Sequence, residues 1–499
     1  MINFKNVSFK YKGKEEPSIK NINLKIKEGQ CIVLCGRSGC GKTSNTRLLN
    51  GLIPDFYPGD LSGVVEIDGK LISNLPIYKI SEKVGSVFQN PNTQFFNTDT
   101  DSEIAFGIEN LSVSEEKLRP IVDNAFYDFK IEKLKNRSIF QLSGGEKQKI
   151  AFASIYAMNP DIYVLDEPSS NLDSDAINDL KELLTFLKSK GKTIIITEHR
   201  LYYLKDLADI ICYIEKGEIK SVYSPETFLK LSVKEREDKG LRALDLSKVE
   251  PIIKEQLEKN NYLTIKNMIL RYGKKQIIKK GFDITASRGE CIGIIGHNGA
   301  GKTTFSKALC GLHKDYDGKI IINNKELTDK QRLKKCYLVM QDVNYQLFAE
   351  KVEEECCFGI KNFNREEVLQ VLKSLGLYEY KDNHPNTLSG GQKQRLAVAT
   401  SIVSKREILI FDEPTSGLDY DSMIRVSKLI EKLRNEGKLM FLVTHDYEFI
   451  CKTCTRILHF DNGTLMDDYF LSDEEGKNKL KKFFYIKKNK KNICGSGEL

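Results

Sequence analysis

The stretch CIVLCGRSGCGKTSNTRLLNGL, residues 31–52, decides the fold. Its five opening residues read as a short buried strand, and the segment after Lys42 reads as a helix. Between them lies GxxxxGK[ST]. Its glycines let the backbone wrap N–H groups around phosphate oxygens, and the helix N-terminus adds positive potential. The arrangement returns as CIGIIGHNGAGKTT at residues 291–304. The first loop offers Gly36, Arg37, Ser38, Gly39, Cys40, Gly41, Lys42, Thr43 and Ser44 to a phosphate chain. The second offers Gly296, His297, Asn298, Gly299, Ala300, Gly301, Lys302, Thr303 and Thr304. Lys42 and Lys302 suit neutralisation of the β- and γ-phosphates, and the Thr43 and Thr303 hydroxyls suit Mg²⁺.

Outward from the loops the duplication continues. LSGGEKQK (residues 142–149) returns as LSGGQKQR (388–395), and YVLDEPSSNLD (163–173) as LIFDEPTSGLD (409–419). ITEH (196–199) is matched by VTHD, which aligns His199 with His445. The offset is 260 at the lysine, 252 from Gln89 to Gln341, and 246 at the serine, the glutamate and the histidine. That register means two copies of one fold, with loop-length changes confined to their first halves; the spacing is far too long for a solenoid.

Each copy opens with strand-like alternation (1–11 and 262–272), and later apolar runs end at Asp166 or Asp412 and near His199 or His445. Short buried strands alternating with helical stretches predict a mostly parallel α/β sheet. A carboxylate at the C-terminal end of such a strand points into the ligand crevice. Asp166 and Asp412 therefore suit Mg²⁺, and Glu167 and Glu413, one residue on, suit polarisation of an attacking water. The expected organisation is a first domain over 1–230, a charged linker containing a helix over 231–260, a second domain over 261–475, and a Lys-rich tail over 476–499.

Composition agrees with a globular chain. It has 499 residues, 40% hydrophobic and 29% charged, with 77 Lys and Arg against 69 Asp and Glu. The net +8 neither requires nor excludes nucleic acid or a membrane surface. No run of about 18 apolar residues could span a bilayer, and residues 1–14 hold no apolar signal core. An unexported chain implies that the 12 cysteines are free thiols. Cys451 and Cys454 have CxxC spacing without a second pair to complete a zinc site.

LSGGEKQK and LSGGQKQR resemble the signature of ABC-type ATPases, and the resemblance covers almost the whole chain in tandem. It implies two P-loop NTPase domains of α/β class, each a mostly parallel sheet with helices, a helical signature subdomain and an antiparallel β subdomain. It implies ATP hydrolysis with ATP and Mg²⁺, and it makes Gln89 and Gln341 metal-touching Q-loop glutamines, Asp173 and Asp419 D-loop residues, and His199 and His445 switch histidines. Tyr11 and Tyr272 match the aromatic that stacks on adenine. Ser143, Gly144 and Gly145, with Ser389, Gly390 and Gly391, open helices that in this family face the γ-phosphate held by the opposite copy. ATP then clamps the two copies, here expected to pair within one chain.

The segments after the Q-loop glutamines, VFQNPNTQFF (87–96) and VMQDVNYQLF (339–348), are similar to those of energy-coupling factor (ECF) transporter ATPases. So is NGLIPDFYPGDLSGVVEIDG (50–69), which accounts for the eight extra residues between Lys42 and Gln89. This resemblance implies a motor on the cytoplasmic face of the membrane for import of a vitamin or metal ion, with a membrane scaffold docked near Phe95, Phe96, Leu347 and Phe348 and a membrane capture subunit. Those four side chains are expected to be exposed anchors. No nucleic acid is expected. The competing reading is a soluble tandem ATPase acting on ribosomes or nucleic acid, disfavoured by a linker of only about 30 residues. The tail KNKLKKFFYIKKNKK (477–491) holds eight lysines and reads as a solvated end or a contact for anionic lipid.

Overall fold

The computed structural model describes the chain apart from residues 171, 255–259, 274, 361 and 486–499. Most of the Lys-rich tail, and part of the linker over 231–260, thus lie outside the described residues. The chain divides into two compact units, one of Met1–Leu244 with Gly417–Asp421, the other of Asp245–Ser416 with Ser422–Leu499.

In the first unit a six-stranded sheet runs in the order Glu218–Tyr223, Ile210–Glu215, Cys31–Cys35, Thr193–Thr197, Ile162–Asp166, Val84–Val87. All pairings are parallel except the Glu218–Tyr223 hairpin at one edge. Its central strands are apolar on both sides because both faces are covered. Ile32 and Leu34 face one core, where they meet Phe4, Phe9 and Leu48. Cys31, Val33 and Cys35 face the other, with Phe152, Leu165 and Ile177. The first core is closed by an antiparallel sheet of Ile19–Ile26, Ile2–Tyr11, Gly59–Ile67 and Lys70–Leu71. The helices Thr100–Asn110, Glu115–Asp128 and Gly144–Ala157 pack on one another and share the second core.

The second unit repeats this plan. Its six-stranded sheet is ordered Cys336–Val339, Ile408–Asp412, Leu439–Val443, Cys291–Ile295, Arg456–Asp461, Thr464–Phe470. The antiparallel sheet holds Lys275–Ser287, Asn261–Tyr272, Tyr316–Ile322 and Lys325–Glu326, and the helical group holds Val352–Cys357, Arg365–Ser374 and Gly390–Val403. The expected mostly parallel sheet with an antiparallel β part and a helical part is thus present in each unit. The first unit ends with the short helix Val233–Asp238, followed by buried Leu241, Ala243 and Leu244. The described cysteines are free, and all but Cys357 are buried. Among the described residues no helix is long and apolar enough to cross a membrane.

Candidate functional site

The strand Cys31–Cys35 delivers the chain into the first phosphate loop, and the helix Lys42–Leu49 leaves it. Gly36 has φ +148°, and a Cβ there would stand 2.2 Å from the Ile214 carbonyl oxygen; at Gly296 the corresponding approach to Phe460 is 1.8 Å. Only glycine fits these two positions, so the loop can hug the sheet and turn its N–H groups outward. Ser38 and Gly39, with His297, Asn298 and Gly299, are exposed at the loop tips, while Cys40 and Ala300 are buried beneath. Gly41 and Gly301, both at positive φ, lead into the helices.

Lys42 and Lys302 are buried. Each ammonium curls over its own loop: Lys42 Nζ donates to Gly36 O (3.1 Å) and Arg37 O (3.2 Å), and Lys302 Nζ to Gly296 O (2.6 Å) and His297 O (3.1 Å). The Thr43 hydroxyl donates to Asp166 Oδ1 at 3.2 Å, and the Thr303 hydroxyl to Asp412 Oδ2 at 2.8 Å. Burial raises the Asp166 and Asp412 carboxyls above their ordinary range, and the neighbouring Glu167 charge adds to this at Asp166. Among the described residues no cluster of three His, Cys, Asp or Glu side chains suits a metal. A hydroxyl beside one carboxylate fits Mg²⁺ only when phosphate oxygens complete its shell, which matches an ion that arrives with a nucleotide.

Glu167 and Glu413 both sit at positive φ (47° and 53°), an uncommon conformation for a non-glycine residue and one no sequence pattern announced. The bend is held by backbone bonds from Glu167 N to Thr197 O (3.0 Å) and from Glu413 N to Val443 O (2.8 Å). It turns Glu167 toward His199, whose Nε2 lies 3.1 Å from Glu167 Oε1, with Lys42 Nζ 3.4 Å from the same ring nitrogen. Burial works to raise the Glu167 carboxyl, but His199 and Lys42 outweigh it and hold it below its ordinary value. Gln89 Nε2 donates to Glu167 Oε2 at 2.9 Å. In the second unit His445 Nε2 stands 3.7 Å from Glu413 Oε1, and Gln341 is exposed beyond the strand Cys336–Val339. The structure thus brings Lys42, Gln89, Asp166, Glu167 and His199 together in the first unit, and Lys302, Asp412, Glu413 and His445 in the second.

Glu198 is a functional candidate that the sequence reading passed over. It is buried and accepts the backbone N–H of His199 (2.7 Å) and Arg200 (3.0 Å) and the Tyr203 hydroxyl (2.8 Å), so it shapes the histidine loop. Its signal was a carboxylate beside the histidine at the end of an apolar strand. The second copy has Thr444 in its place.

Ser143 and Ser389 cap the helices Gly144–Ala157 and Gly390–Val403 through reciprocal capping boxes with Glu146 and Gln392. Ser143, Gly144, Ser389 and Gly390 are exposed, with Gly145 and Gly391 half-buried, so each signature presents a helix N-terminus. Asp173 caps the helix Ser174–Ser189, and Asp419 is buried. The two aromatics differ. Tyr11 is half-buried, its hydroxyl 3.0 Å from Ser44 Oγ and 3.0 Å from Arg47 Nη1. Tyr272 is exposed and stacks on His313 at 5.9 Å.

The expected docking anchors divide. Phe96 and Phe348 are 75% and 69% exposed, but Leu347 is buried and Phe95 packs against the core. Neighbouring residues on an extended exit from a short 3₁₀ turn point opposite ways, so one of each pair secures the segment while the other faces outward. Phe96 stacks on Phe106 at 4.8 Å in a groove of about 560 Å³ lined by Ile77, Tyr78, Phe88 and Met158.

The sequence profile of the ABC transporter family matches residues 19–170 and 280–416. A Treponema denticola protein named "Putative ABC transporter ATP-binding protein" is 45% identical over 475 residues, covering 94% of this chain and 97% of its own. A crystal structure of archaeal ribosomal stalk protein aP1 with the ribosome recycling factor aABCE1 is similar at TM-score 0.62 and 25% identity, over 91% of this chain and 87% of that one. A structure of ribosome-bound archaeal Pelota and ABCE1 shares the fold at TM-score 0.70 and 21% identity, over 96% and 80%. The chain belongs to the ABC transporter family and carries that family's ATPase domain twice.

Proposed function

We propose that this protein is the ATP-hydrolysing motor of an ECF-type importer for a vitamin or metal ion, seated on the cytoplasmic face of the membrane. The observation that carries the transport reading is an apolar groove lined by exposed Phe96, Phe88, Ile77 and Tyr78, in which Phe88 directly precedes Gln89, whose side chain is bonded to Glu167. A scaffold helix lodged there would feel any shift of the loop that joins Gln89 to Phe96. A separate membrane subunit would capture the cargo. In the second repeat, exposed Phe348 and Phe358 lie 6.4 Å apart in the matching segment.

Within each repeat, the loop N–H groups and Lys42 or Lys302 bind the phosphates, and Tyr11 or Tyr272 takes the adenine. Thr43 with Asp166, and Thr303 with Asp412, hold Mg²⁺, assisted by Gln89 and Gln341. When bound, Mg²⁺ neutralises phosphate charge. Glu167 and Glu413 accept the proton of the attacking water, and His199 and His445 orient those carboxylates. Ser143 and Ser389 offer their helix N-termini to the γ-phosphate of the opposite repeat, so that pairing of the repeats within the chain follows ATP. Domains over 1–230 and 261–475 remain our division.

The test is purification in gentle detergent. Small, very hydrophobic scaffold and capture subunits should accompany the chain. Ribosomes in their place would support the second reading, a soluble tandem ATPase on the ribosome, which the likeness to the recycling factor favours.

A further inference from the structure

The helix Glu474–Tyr485 lies beyond the last strand of the second six-stranded sheet and takes in the described part of the Lys-rich tail. Leu480, fully buried, anchors it. Two aromatic residues at its end reach parts of the second nucleotide site. The Phe483 ring lies 5.6 Å from the ring of His297, the second residue of the phosphate loop, and 4.9 Å from His459 in an edge-to-face contact. Phe484 meets Phe483 at 5.1 Å and Tyr447 at 5.3 Å, both edge-to-face. Tyr447 opens the helix Tyr447–Thr453, two residues past His445. One aromatic pair therefore touches the phosphate loop on one side and the segment after the histidine on the other.

His297 is also held from below, its Nδ1 2.7 Å from Asp461 Oδ2. The first unit builds the same pair from other residues, Arg37 Nη1 lying 3.4 Å from Glu215 Oε1 at the end of the matching strand. Both repeats thus tie the second loop residue to an acid on the neighbouring strand. Arg37 has further partners, Asp421 Oδ2 at 2.6 Å and Asp238 O at 2.7 Å, whereas an imidazole offers at most one donor at each nitrogen. The tilted Phe483 ring against the imidazole restricts the rotation of His297.

We infer that Phe483 is a positioning residue for the second nucleotide site, acting through His297 to fix the loop around the phosphates, with Phe484 extending the hold to the histidine segment. The inference rests on the nucleotide-binding reading of residues 296–304. It makes nucleotide affinity at the second site, and not at the first, depend on the C-terminal helix.

The test uses the full chain and N-methylanthraniloyl-ATP binding with Mg²⁺. A Lys42→Ala chain confines tight binding to the second loop, and a Lys302→Ala chain confines it to the first. In the Lys42→Ala chain, Phe483→Ala should raise Kd about fivefold, His297→Ala should do the same, and the double variant should be no worse than either. In the Lys302→Ala chain, Phe483→Ala should leave Kd unchanged. Should Phe483→Ala fail to fold, Phe483→Leu, which keeps an apolar contact but no ring, replaces it in the same cycle. An unchanged Kd, additive losses, or equal weakening in both chains would overturn the inference. Absence of binding by the Lys42→Ala chain itself would overturn the site reading and the inference with it.

Discussion

His199 Nε2 stands 3.1 Å from Glu167 Oε1, whereas the matching separation between His445 and Glu413 is 3.7 Å. The shorter contact belongs to a carboxylate that also receives Gln89 and has Lys42 Nζ at 4.0 Å. Adjacent acids are pushed apart there: burial raises Asp166, while His199 and Lys42 keep Glu167 lowered in spite of its burial. A lowered Glu167 carboxyl keeps a proton-accepting oxygen available beside His199.

Glu167→Gln keeps the shape and removes the acceptor charge. MgATP turnover should fall by about 10²–10⁴-fold for a lost general base, with ATP affinity retained. Glu413→Gln should act in the same direction. Steady-state turnover and equilibrium nucleotide binding check this, and original rates in both single variants would refute the assignment of the base.

Docking narrows to two of the four side chains first expected. Phe96 and Phe348 are exposed, while Leu347 is buried and Phe95 packs on the core. Phe96→Ala with Phe348→Ala should release the membrane partner, at about 2 kcal/mol for each interface anchor removed. Basal turnover should be unchanged. Leu347→Ala should instead lower stability without selective release. Co-purification in detergent and thermal melting separate the two effects, and partner retention by the Phe96/Phe348 double variant would count against the groove.

What could be read from the sequence follows a physical division. The phosphate loops and the parallel strands were legible because local chemistry dictates them, through glycine spacing and apolar runs ending at Asp166 and Asp412, while the signature helices came with the family resemblance. The burial of Leu347 beside exposed Phe348 was not, since two adjacent apolar residues carry no sign of which one faces the core. The left-handed backbone at Glu167 and Glu413 was hidden too, because it is imposed by the strand that binds their N–H groups. Glu198, whose partners are mostly backbone groups beside it, and Phe483, some 186 residues from His297, show the same limit at short and long range.

Glu407 gives a pH signature. It pairs with Arg288 at 2.7 Å and contacts Lys335 and the Tyr262 hydroxyl. Partial burial acts to raise its carboxyl, but these partners bring it down from 4.5 to about 2. A depressed carboxyl stabilises the fold above the unfolded value and loses that contribution as pH falls through the folded one. Glu407→Gln should therefore melt lower than the parent at neutral pH, and the gap should close between 4.5 and about 2. Melting curves across that range check it. An equal gap at neutral and acid pH would mean that packing, not charge, is what Glu407 supplies.

Arg332 shows the two repeats solving one problem differently. It is almost fully buried, and its guanidinium donates to Ala308 O (3.0 Å), Leu309 O (3.2 Å) and Leu327 O (2.9 Å) and pairs with Asp329 at 2.6 Å. Ala308 and Leu309 lie in the last turn of the phosphate-loop helix Lys302–Cys310, where carbonyls lack partners within the helix. The first repeat has Ile80 at this place, buried beneath Gly51. Arg332→Leu would strand those carbonyls and the Asp329 carboxylate, so it should cost about 3 kcal/mol, in the range of a broken buried pair. Ile80→Ala should cost about as much, through a cavity. Denaturant unfolding measures both, and a loss well under 1 kcal/mol for Arg332→Leu would show that water replaces the guanidinium and that the helix end needs no cap.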